Sequence, residues 1–248
     1  PALTVITPVS MDHVDFLGPD LASIAAEKAA IQKPDVPSVI GAQPSEAARV
    51  IQAYADSVNA PLARHDMEWS AQGVADGVRM RFGSKIREFP TPALPGAHQT
   101  HNAGLAIACT EFLKDFKITN AAIAQGMQRV EWPGRLQRLH EGPLVSTLPA
   151  DCEVWLDGGH NPAAAQALAA MARDWRDRPL HLILGMLNSK DGAGFLRPLA
   201  PLVATAQTVA VPGEAATVSP EDAAREANAL HIKATAAPSL EAAAQNLS

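Results

Sequence analysis

The spacing of apolar positions changes several times along the chain, and each change marks an element. Leu3, Val5, Ile6 and Val9 form a short, partly β-branched run over residues 3–9, the pattern of a buried strand. A polar turn, Ser10-Met11-Asp12-His13, follows. Asp20 then stands as an N-cap ahead of Leu21, Ile24, Lys28 and Ile31, which share one face of a helix that Pro34 stops. A strand over 38–41 and a helix over 46–58 continue the alternation, which predicts a mostly parallel α/β sheet. From residue 77 the period drops to two: Val78, Met80 and Phe82 alternate with polar residues, Gly83-Ser84 interrupts, and Ile86 and Phe89 resume. That predicts a hairpin. Pro90, Pro92 and Pro95 make a stiff connector into Gly96-Ala97-His98-Gln99, with helices expected over 103–116 and, behind Thr119 as N-cap, 121–130. After Trp132-Pro133-Gly134-Arg135 the rhythm restarts, with strands over 154–156, 180–187 and 208–211 and helices over 162–175, 221–230 and 240–247. Two domains are therefore expected, 1–132 and 133–248.

Composition narrows the classes. The 248 residues leave room for one large domain or two modest ones. An apolar share of 47% with 19% charged residues suits a chain that buries a core, and excludes disordered and low-complexity classes. With 20 Lys and Arg against 26 Asp and Glu, the net charge of −6 supplies no excess to neutralise phosphates or an anionic membrane. Neither nucleic acid nor membrane is expected as a partner. No apolar run nears the roughly 18–20 residues that span a bilayer, and no signal-peptide pattern opens the chain. Cys109 and Cys152 are too few for a disulfide framework, so a reducing, cytoplasmic setting is expected.

Three places could carry chemistry. Asp12-His13 follows a strand, where α/β sheets collect ligands, and a neutral imidazole there could join a magnesium or manganese shell; equally, Asp12 could cap the turn and His13 pack beneath it. Lys28 falls on the apolar stripe of its helix. Burial would favour its neutral amine, a nucleophile, base or acceptor of carbon dioxide, unless the side chain snorkels past Ile24 and Ile31 to water. Asp157-Gly158-Gly159-His160-Asn161-Pro162 joins a strand to a helix capped by Asn161, with Pro162 at its first position. Glycines there admit a ligand, the helix end favours an anion, and the aspartate could hold ribose hydroxyls; an ordinary tight turn reads the same way. No Gly-x-x-x-x-Gly-Lys-Ser/Thr loop, Gly-x-Gly-x-x-Gly fingerprint, Gly-x-Ser-x-Gly elbow or His-Glu-x-x-His helix is present.

Taken in order, six segments resemble folylpolyglutamate synthase / dihydrofolate synthase, a branch of the Mur ligase superfamily. They are Ile6-Thr7-Pro8-Val9-Ser10-Met11-Asp12-His13 with Phe16-Leu17-Gly18; Ile24-Ala25-Ala26-Glu27-Lys28-Ala29-Ala30-Ile31 with Lys33-Pro34; and Leu94-Pro95-Gly96-Ala97-His98-Gln99 with Asn102-Ala103. Trp132-Pro133-Gly134-Arg135, Leu156-Asp157-Gly158-Gly159-His160-Asn161-Pro162 and Gly185-Met186-Leu187 with Lys190-Asp191 complete the set. The resemblance implies the rear part of a P-loop-type ATPase domain followed by a Rossmann-like α/β domain. It implies an ATP-dependent ligase that joins L-glutamate to dihydropteroate or reduced folates through an acyl phosphate, and usually a monomer. By the same resemblance His13 would ligate Mg2+, Lys28 would be carbamylated, Asn102, Arg135 and Asp157 would contact ATP, and His160 would orient glutamate.

The family's phosphate-binding loop and a metal-binding glutamate would lie upstream of Pro1, and its last strand beyond Leu247. The 248 residues alone are thus expected not to turn over ATP. A cell-wall peptide ligase of the same superfamily shares the Asp-x-x-His-Asn-Pro segment, and a non-catalytic nucleotide-binding module is the alternative from another class.

Overall fold

The computed structural model describes residues 1–11, 17–175 and 177–247. The chain divides into two compact units, Pro1–Glu131 and Trp132–Ser248.

In the first unit, β1 (Thr4–Ile6), β2 (Ser38–Ile40) and β3 (Leu62–Arg64) form a parallel sheet with Ile6 opposite Ile40 and Ile40 opposite Arg64. Successive side chains on a strand point to opposite faces. On central β2, Ile40 accordingly joins one core with Ile6, Ile24, Ala25 and Ile51, while Val39 joins another with Trp69, Met80 and Leu105. The first core is closed by α1 (Leu21–Ala29) and α2 (Ser45–Val58), which pack on each other. Asp20 caps α1 as expected, its Oδ1 accepting from the Ser23 amide at 2.7 Å.

The stripe on α1 is shorter than predicted. Ile24, Ala25 and Ala29 are buried, but the helix stops at Ala29, so Ile31 lies beyond it and is 50% exposed. Lys28, in the last turn, is exposed. Of the two readings, burial of the amine or its escape to water, the exposed side chain agrees with the second, and its position suits a cation against the helix's negative end.

An antiparallel meander of β4 (Trp69–Val74), β5 (Gly77–Phe82) and β6 (Lys85–Pro90) supplies much of the second core. The predicted hairpin is β5–β6, turning at Gly83 with φ +57° and pairing Phe82 with Lys85. Strand β4 was not predicted. α3 (Ala97–Thr110) begins six residues before the expected 103, because Gly96, at φ +109°, turns the chain from the connector directly into the helix. It crosses the meander closely: a Cβ added at Gly104 would overlap the Cβ of Ala71. α4 (Asn120–Arg129) is capped by Thr119, whose Oγ1 accepts from Ala122 N at 3.1 Å.

The second unit opens with the antiparallel pair β7 (Gln137–Leu139) and β8 (Val154–Leu156), separated by α5 (Pro143–Thr147). α6 (Pro162–Ala172) follows, then the parallel strands β9 (Leu180–Leu184), β10 (Val203–Thr208) and β11 (Ala234–Ala236), with β10 central. α7 (Gly192–Leu196), α8 (Pro220–Ala229) and α9 (Leu240–Gln245) complete the unit. Ala165, Phe195, Leu196, Ala206, Ala227 and Ile232 centre the main core, and Val209, Ala237 and Ala243 form a smaller one. β10 ends where the predicted strand 208–211 begins. Its inner end is polar and buried: Gln207 Nε2 donates to Thr235 Oγ1 at 2.7 Å and Thr208 Oγ1 to the Pro220 carbonyl at 2.6 Å. Satisfied hydrogen bonds permit polar side chains there, and this hides the strand from an apolar pattern.

Candidate functional site

Two loops of the second unit are tied together. The turn 132–135 closes with Arg135 N donating to Trp132 O at 3.3 Å, and Gly134 takes φ +72°. Gln137 Oε1 accepts from Gly134 N at 3.0 Å. The strand–helix loop after β8 answers with Gly158 N donating to Gly134 O at 2.7 Å. Asp157 completes the tie: Oδ2 accepts from Leu136 N at 2.8 Å and Oδ1 from Gly159 N at 2.7 Å. Leu136 is 5% exposed and holds φ +45°, a left-handed conformation that costs a branched aliphatic residue energy.

This arrangement leaves Arg135 exposed, and its guanidinium makes no ion pair or hydrogen bond among the described residues. The His160 ring is oriented by its Nδ1–H donating to Gly158 O at 3.0 Å. Beside it, Asn161 caps α6, its Oδ1 accepting from Ala164 N at 2.9 Å, with Pro162 at the first helical position. The helix thus presents its positive end at the mouth of the loop, a setting that favours an anion.

In the first unit Asn102 lies on α3, exposed, with Nδ2 donating to Gln99 Oε1 at 3.0 Å; the Gln99 amide in turn meets His98 Nε2 at 3.1 Å. Gln99 is buried and fixes the face from which Asn102 projects. His13 lies outside the described residues. Among those described, no group of three or more His, Cys, Asp or Glu could hold a metal ion, so magnesium rests on His13 and the resemblance alone. Arg135, Asp157 and His160 sit on the tied loops. Gln137 and Leu136, which fasten them, were not singled out: a side-chain bond to a backbone amide, whether three residues away for Gln137 or twenty-one for Leu136 and Asp157, leaves no sequence pattern.

Known proteins resemble this chain along most of its length. Residues 134–248 match the family model described as Mur ligase, glutamate ligase domain. Over 217 residues the chain is 36% identical to a Mycobacterium tuberculosis protein named dihydrofolate synthase/folylpolyglutamate synthase, covering 81% of this chain and 42% of the relative. A Bacillus subtilis protein of the same name is 31% identical over 80% of the chain and 46% of its own length. Among solved structures, Mycobacterium tuberculosis folylpolyglutamate synthase complexed with ADP superposes with a TM-score of 0.84 at 32% identity, over 98% of this chain and 55% of that one. Escherichia coli FolC in complex with DHPP and ADP gives 0.80 at 26% identity, over 96% and 53%.

The second unit is therefore a Mur ligase C-terminal domain. The chain belongs to the folylpolyglutamate synthase / dihydrofolate synthase family. It spans about half the length of the relatives it matches.

Proposed function

We propose that the chain forms part of an ATP-dependent ligase that adds L-glutamate to dihydropteroate, to a reduced folate carrying glutamate, or to both. The observation that carries this reading is the pair of tied loops, which leaves Arg135 exposed and, among the described residues, without a side-chain partner, on the loop tied to the amino end of α6. ATP, when bound, supplies the phosphoryl group that converts the acceptor carboxylate into an acyl phosphate open to attack by the glutamate amine. Arg135 offers its guanidinium to the nucleotide's phosphates, a charge-assisted contact. Asp157 holds the loop through one lone pair on each oxygen and keeps acceptor capacity for ribose hydroxyls. Asn102 enters as a nucleotide contact from the resemblance. His160, locked by Gly158, orients the incoming glutamate, and the adjoining amino end of α6 suits an anionic group. Lys28 as a carbamate and His13 as a magnesium ligand enter from the resemblance, the former without support from burial. A cytoplasmic, monomeric enzyme fits the family.

Calorimetric titration of the 248-residue chain with ADP tests the nucleotide half of the reading. Arg135→Ala is expected to weaken binding roughly tenfold or more, as loss of a hydrogen bond to a charged group does. Glutamate incorporation by the product of the whole reading frame, with dihydropteroate and with tetrahydrofolate as acceptors, tests the rest. Product with neither acceptor would reject the ligase assignment.

A further inference from the structure

His65 stands immediately after β3, at the carboxyl end of the parallel sheet, where α/β folds gather ligands. Its amide donates to Ile40 O at 3.0 Å, which fixes the backbone alongside β2. The side chain is only 10% exposed, and Nδ1 lies 3.0 Å from Asp66 Oδ2. In the tautomer protonated on Nδ1, Nε2 carries a bare lone pair, the form of imidazole that ligates a metal. That Nε2 is buried and has no hydrogen-bond partner. The nearest aromatic neighbour does not supply one. Trp69 meets the His65 ring edge-on with centroids 4.9 Å apart, but its indole N–H is committed to Ala63 O at 3.0 Å.

A buried polar nitrogen without a partner costs free energy, roughly 1–3 kcal/mol in general, so its persistence points to an occupant. The second imidazole nearby supplies the chemistry. His101, exposed on α3, has its ring centre 6.0 Å from that of His65, with the planes at 55°. One ion bonded at about 2.1 Å to a nitrogen of each ring would hold the ring centres about 5–6 Å apart, so the observed spacing suits a shared ion. Imidazole nitrogen selects zinc, nickel or copper over magnesium or calcium. A carboxylate on the far ring nitrogen is the usual outer support of a metal-bound histidine. Asp66, in a left-handed conformation at φ +64°, brings its carboxylate to 3.0 Å from the His65 Nδ1.

We propose that His65 and His101 form a two-histidine site for a transition-metal dication, supported by Asp66, with water in the remaining positions. The site makes no use of His13, and its test does not depend on the ligase reading. Titrating the metal-free 248-residue chain with Zn2+ and Ni2+, without nucleotide, tests it. One ion per chain is expected to bind, with Ni2+ quenching emission from Trp69. His101→Ala, at an exposed position, is expected to weaken that binding roughly tenfold or more while leaving the near-ultraviolet circular dichroism unchanged. Asp66→Asn, tolerated in the left-handed region, should weaken it by a similar factor. If no ion binds, or if binding in His101→Ala equals that of the parent chain, the site does not exist. His101→Gln serves as the second variant should the alanine change disturb the fold.

Discussion

Asp157 accepts from Leu136 and Gly159 together, at 2.8 and 2.7 Å, so its two oxygens face two backbone donors. Asparagine keeps one acceptor but sets an NH2 against one of those amides. Asp157→Asn is therefore expected to cost about 1–3 kcal/mol of stability in urea unfolding and to weaken ADP binding in parallel. Loss of nucleotide affinity at unchanged stability would instead confine the carboxylate to the ligand. Cys109 makes a prediction of a different kind. Burial beside the core of the first unit pushes its thiol up to about 11. The folded state then binds its proton more tightly than the unfolded chain. That contribution to stability is complete below the unfolded thiol's pKa, near 9, and is lost as pH rises through about 11. Denaturation midpoints should fall over that window, and Cys109→Ala should fall less steeply. Exposed Cys152 should react with a thiol reagent first at neutral pH.

Elements were legible where the local pattern alone decides them. Val78, Met80 and Phe82 with the Gly83-Ser84 break specify the hairpin, and Asp20, Thr119 and Asn161 each mark a helix start through one side-chain oxygen. Elements decided by tertiary context were not. β4 is buried at Trp69 and Ala71 but shows little apolar bulk between them, because α3 presses on it where Gly104 meets Ala71. Lys28 misses the buried stripe because that stripe runs through Ile24, Ala25 and Ala29, a face that small alanines leave unmarked in the apolar pattern. The close crossing yields a test. Gly104→Ala should raise intrinsic helix propensity yet destabilise the chain by about 1–3 kcal/mol through overpacking, read from the urea midpoint. A stabilised variant would mean that α3 and β4 stand further apart than described.

Each unit of the molecule carries its own buried clusters: Ile24, Ile40, Trp69, Met80 and Leu105 in the first; Phe195, Leu196, Ala206, Ala227 and Ile232 in the second. A self-contained core is the condition for independent folding, so residues 132–248 expressed alone should give a dispersed amide spectrum and a cooperative thermal transition. A collapsed spectrum would show that the second unit depends on the first. The family and the segments that bear the candidate residues could be read from ordered motifs. The fastening of Gly134 to Gly158 and the pairing of His65 with His101 could not, because each joins positions far apart in the chain through folding alone.

Leu136 is held to two demands that no single side chain meets well, aliphatic bulk for the core and a left-handed backbone for the turn. Glycine would relax the backbone and leave a void; a β-branched residue would fill the space and sharpen the strain. The tie is in effect a latch under tension. The Asp157 carboxylate and the strained Leu136 backbone are therefore coupled: loss of that one hydrogen bond removes what offsets the strain in the turn that carries Arg135.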